Sequence, residues 1–90
     1  MRTIVTVLGK DKQGIIHNVT GIVSGYGANI LDISQTIMSE NIFAMFMLID
    51  TEHITGEYRQ LAEDLQKHGE ENGYTIHVQR EDVFNAMHRI

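Results

Sequence analysis

Apolar and polar positions change period several times along the ninety-residue chain, and each change marks a predicted element. "TIVTVLG" (Thr3–Gly9) is rich in β-branched residues and stops at a glycine, which predicts a first strand. From there the apolar positions fall at Ile15, Ile16, Val19, Ile22, Val23 and Tyr26, the spacing of one face of an α-helix. In this reading Gly14 opens the helix and Gly27 supplies the left-handed residue that ends it. "NILDISQTIM" (Asn29–Met38) sets Leu31, Ile33 and Ile37 against Asp32, Ser34 and Thr36, a half-buried strand, and "SENI" is read as a hairpin connection. "FAMFMLID" (Phe43–Asp50) is apolar at nearly every position, which predicts a strand covered on both faces. Thr55 as N-cap, with Glu57 in the first turn, starts a second helix whose apolar face is Tyr58, Leu61, Ala62 and Leu65. Gly69 or Gly73 ends that helix. "YTIHVQ" (Tyr74–Gln79) alternates again, and Val83, Phe84, Met87 and Ile90 predict a short terminal helix.

The order β-α-β-β-α-β is the split βαβ, or ferredoxin-like, plan of the α+β class. It predicts one domain over residues 1–90, with a helical tail at about 82–90. Right-handed crossovers place both main helices on one face of a four-stranded antiparallel sheet, with the first and third strands inside. The third strand carries Phe43, Met45, Met47 and Ile49 on one face and Ala44, Phe46 and Leu48 on the other, and the first strand likewise sets Val5 and Val7 opposite Ile4 and Leu8. Such a face exceeds what a monomer ordinarily exposes. The tail helix, a second subunit, or both are expected to cover it.

Composition narrows the functional classes. The formal charge is −5, from seven basic and twelve acidic residues, so the basic footprint of a nucleic-acid binder is missing and anionic membranes are disfavoured. The absence of cysteine removes disulfides, thiolate metal sites and a cysteine nucleophile. No run approaches the ~20 apolar residues of a membrane span, and the alternating N-terminus does not read as a signal peptide. A cytoplasmic protein is expected. The five histidines show no metal-ligand spacing, so neither a metal nor another cofactor is predicted.

Candidate chemistry concentrates in "GKDKQG" (Gly9–Gly14). Two glycines bracket Asp11 just before a helix, where the first N–H groups lack intrahelical partners and favour an anion. Asp11 suits an ammonium group, and Asn29, at the start of the second strand, both donates and accepts. Together they suit a zwitterion such as a free amino acid. The alternative is plainer: Asp11 caps the helix or turn, and Asn29 belongs to a turn. No catalytic residue is assigned. An acylphosphatase-like reading would use the "QG" of Gln13 and Gly14, but that chemistry needs an arginine where this chain has His17 and Asn18. An RNA-recognition reading would need aromatics on the two central strands, and the first has none.

Gly9, Asp11, Gly14, Ile15, Gly27, Asn29 and Ile30 stand in the order of a G-x-D-x-x-G-[IV] loop, a helix and a G-x-N-I step. In these residues the chain resembles the ACT domain family, in particular stand-alone bacterial ACT proteins and glycine-cleavage repressor-type domains. The motif covers residues 4–37; the second half matches as strand, helix and strand. The resemblance implies regulation rather than catalysis. It implies side-by-side homodimers joined through the first helix and second strand, with an amino acid held at that interface. Gly9, Asp11, Gly14, Ile15, Asn29 and Ile30 become the ligand-binding candidates. The ninety residues carry no enzymatic or DNA-binding unit to control. Output is therefore expected through a partner protein; otherwise the module is a dimerisation or docking unit without ligand.

Overall fold

A computed structural model describes residues 2–10 and 12–87. The elements run β1 (Arg2–Gly9), α1 (Lys12–Gly25), β2 (Asn29–Ile37), β3 (Phe43–Asp50), α2 (Tyr58–Asn72), β4 (Thr75–Arg80) and α3 (Glu81–Met87). The sheet order is β2-β3-β1-β4 and every pairing is antiparallel. This is the ferredoxin-like plan, with β1 and β3 inside as expected.

The alternation within each strand sorts the core. Val5 and Val7 of β1 and Phe43, Met45, Met47 and Ile49 of β3 are fully buried beneath the helices. They meet Ile15, Val19 and Val23 of α1 and Leu61 and Leu65 of α2. On the opposite face Ala44 is buried and Ile4 and Leu48 are half-buried, but Phe46 remains 41% exposed. The short α3 packs against β1 and β4, and Arg2 pairs with Glu81 at 3.4 Å, so the tail shields this face in part. The side chains of Phe84 and Met87, and all of Ile90, lie outside the described residues.

Three local expectations are corrected. α1 begins at Lys12, so Gly14 lies within its first turn rather than opening it. The strand alternation in β2 is broken by a bulge: Ile30 pairs with Ile49, Asp32 pairs with Leu48, and Leu31 is the extra residue, 44% exposed. The insertion lets Ile30 and Ile33, an odd number of residues apart, both pack on the core, where strict alternation would have sent them to opposite faces. The N-cap of α2 is Glu57, not Thr55, because Glu57 and Gln60 form a reciprocal capping box. The Thr55 N–H is instead committed to the Tyr26 carbonyl at 2.7 Å, tying the end of α1 to the approach of α2.

The β2–β3 connection passes through a short 3-10 turn, Ser39–Asn41, in which Glu40 (φ 64°) and Asn41 (φ 63°) both take left-handed backbone. Asparagine tolerates this region, whereas glutamate gains no local hydrogen bond from it. Glu40→Gly is therefore expected to raise stability by about 0.5–1 kcal/mol, after the greater chain entropy of glycine offsets part of the relieved strain. A higher urea midpoint at unchanged slope would show it; no change would mean the turn is unstrained.

Candidate functional site

The β1–α1 turn is shorter than the sequence motif suggests. Gly9 still pairs with Phe43 as the last residue of β1, and α1 has begun by Lys12. Asp11 lies outside the described residues. Gly9 has a packing role that is visible directly: a Cβ there would sit 2.6 Å from Ile15 Cδ1 and 3.1 Å from Tyr74 Cδ1. Ile15 is fully buried, backbone included, and packs in the core. With α1 starting at Lys12, its first turn begins two residues before the expected Gly14. Gly14 is half-buried on this turn and is not one of the positive-φ glycines.

Asn29 is elsewhere. It pairs with Asp50, which in turn pairs with Arg2 at the start of β1, while Gly9 pairs with Phe43 and Phe43 with Ile37. Asn29 and Ile30 thus lie at the opposite end of the sheet from the turn, roughly 23 Å away at ~3.3 Å per strand residue. Within one chain the structure groups Gly9, Gly14 and Ile15, and separately Asn29 and Ile30. Beside Asn29, the Asp50 carboxylate accepts the Glu52 N–H at 2.9 Å, and that bond holds it below the usual carboxylate range.

The two edges of the sheet differ. β2 is an edge strand with exposed apolar side chains, Leu31 and Ile37 (58% exposed), and Met38 follows directly. Above it, α1 presents Ile16 half-buried and Gly21 exposed, and a Cβ on Gly21 would meet nothing within 4 Å. β4, at the other edge, exposes Thr75 and His77.

A feature that sequence reasoning passed over lies between the helices. A groove of about 570 Å³ runs from Gly25 and Tyr26 at the end of α1 along Asp64, Lys67, His68 and Glu71 of α2. The Tyr26 hydroxyl donates to the Asp64 carboxylate across the groove. That bond, then desolvation, keeps the phenol above its ordinary pKa, so it remains a donor. Asn72 donates to His68 Nδ1 at 3.2 Å, and the His68 ring packs edge-on to Tyr74. The available signal was the 64–67–68–71 spacing, which puts these four side chains on one face of α2.

With the fold and both regions described, the comparisons with known proteins converge. The ACT domain family model matches residues 2–79. A UPF0237 protein of Clostridium perfringens is 48% identical over 90 residues, covering 100% of both chains. Among solved structures, an ACT domain protein from Streptococcus pneumoniae superposes with a TM-score of 0.79 at 32% identity, covering 93% of each chain. A candidate glycine cleavage system transcriptional repressor superposes at 0.67 with 25% identity, over 87% of this chain and 44% of that one. The chain belongs to the ACT domain family, and its full-length relatives are small UPF0237 proteins.

Proposed function

We propose that this chain is a non-catalytic regulatory module that binds an amino acid between two copies of itself and signals through a partner protein. The observation that carries the reading is the β2 edge: unpaired, with Leu31 and Ile37 exposed on it, and flanked by an exposed glycine on α1. Antiparallel pairing of two β2 edges reverses one strand relative to the other. The Asn29 end of one copy then lies beside the β1–α1 turn of its partner, and the two groups separated within a chain become neighbours. The ligand carboxylate sits at the first turn of α1, where the helix dipole favours an anion. Its ammonium is held by Asp11, with the partner's Asn29 completing the shell.

Titration calorimetry with each standard amino acid tests this directly. At least one is expected to bind below the millimolar range. Asp11→Ala is expected to weaken it about tenfold or more, the loss of one charge-assisted hydrogen bond. If no amino acid binds, or Asp11→Ala binds as well as the parent chain, the turn is only a turn and the module is a docking unit.

A further inference from the structure

We infer that the groove between α1 and α2 is a second binding seat, taking a small zwitterion of amino-acid size. It is separate from the turn site and does not depend on dimerisation, because it lies within the helix layer of one chain.

Three observations meet there. The first is space: α1 ends in Gly25, and a Cβ on that residue would meet nothing within 4 Å, so at Gly25 the wall is bare backbone, with Ile22 and Tyr26 on either side of it in the lining. The groove's volume of about 570 Å³ exceeds that of an amino acid several times over. The second is paired charge. Lys67 and Glu71 are four residues apart on the α2 face, yet they form no ion pair with each other. Lysine preceding glutamate is the less favourable order for such a helical pair. A cation and an anion are thereby left side by side, facing the same concavity. The third is order: the Tyr26–Asp64 hydrogen bond joins the two walls at one end and fixes a second carboxylate. Tyr26 donates to one Asp64 oxygen, Oδ2, leaving Oδ1 as an acceptor for a ligand. A zwitterion would place its carboxylate on the Lys67 ammonium and its ammonium on Asp64 Oδ1.

The test is a nitrogen-15 amide NMR titration of the full chain with each standard amino acid at millimolar concentration. Saturable shifts are expected at Gly25, Lys67 and Glu71. Lys67→Glu should weaken that binding about tenfold or more, and Lys67→Arg should retain it. Lys67 is exposed, so both variants are expected to fold. Gly25→Leu, which would fill open space, should abolish the groove shifts without altering those at residues 12–14. Asp11→Ala should leave the groove unaffected, which separates this seat from the turn site. Shifts confined to the turn and β2, no saturable shift at the groove, or groove binding indifferent to Lys67→Glu would each overturn the inference.

Discussion

Replacing Gly69 with valine is expected to lower the unfolding free energy by about 3 kcal/mol, at the upper end of what overpacking a core costs. Gly69 is buried on α2 where the helix crosses β4. A Cβ there would lie 2.9 Å from the Tyr74 carbonyl oxygen and 3.0 Å from Ile76 Cγ1. The first contact is with backbone, so relief requires the helix and strand to separate rather than a side chain to rotate. Tyr74 is also held to Gly69 itself, its N–H donating to the Gly69 carbonyl at 2.8 Å, which leaves the segment little room to yield. Two effects oppose each other in Gly69→Ala: helix propensity gains about 1 kcal/mol, and the new contact costs about 1–3 kcal/mol. The contact is expected to win. Gly21→Ala on α1 carries the same propensity gain into open space and is expected to stabilise. Urea unfolding of the three variants decides it, since a stabilising Gly69→Ala would show the close approach to be absent. A ninety-residue domain has roughly 5–13 kcal/mol in all, so the valine variant would lose a large share.

Gly69 also shows where the sequence was legible. Its place near the end of α2 could be read from the pattern, but Gly73 performs the termination, with left-handed backbone at φ 80°. What Gly69 does depends on β4 approaching from elsewhere in the chain, and no local pattern encodes that distance. The strands, both main helices and the inner position of β1 and β3 were legible because the apolar period follows directly from which face is buried. The β2 bulge was not, since the "NILDIS" stretch alternates acceptably in either register and only pairing with β3 selects one.

The candidate site was legible as a motif but not as a place. Gly14 and Asn29 flank one helix in sequence, and the motif invites them into a single cradle. Yet α1 has fourteen residues, about 21 Å at 1.5 Å per residue, so it carries the chain from one end of the sheet to the other. The groove escaped notice for the converse reason. In the sequence, Asp64 beside Glu63 suits a solvated face and Glu71 within "GEEN" an acidic helix end or loop, and only the fold brings Gly25 and Tyr26 opposite them.

The separation of turn and strand makes the β2 edge the point on which the proposed amino-acid site depends, and a double substitution there has the largest expected functional effect. Leu31→Lys with Ile37→Lys places two cations on an unpaired strand edge, a device that natural edge strands use to refuse partners. Both positions are exposed, and Leu31 already sits in a bulge, so each change should alter the stability of the folded chain by no more than about 0.5 kcal/mol. In an antiparallel pairing of two copies, however, the four added charges crowd one seam, where like charges oppose pairing. Sedimentation at micromolar concentration is expected to show the parent chain as a dimer and the variant as a monomer with unchanged circular dichroism. Amino-acid binding at the turn should fall to undetectable levels in the same variant, because Asn29 of the second copy can no longer reach it. Binding in the α1–α2 groove should persist. A parent chain that sediments as a monomer would remove the shared site. A monomeric variant that still binds at the turn would show that the turn of a single chain suffices.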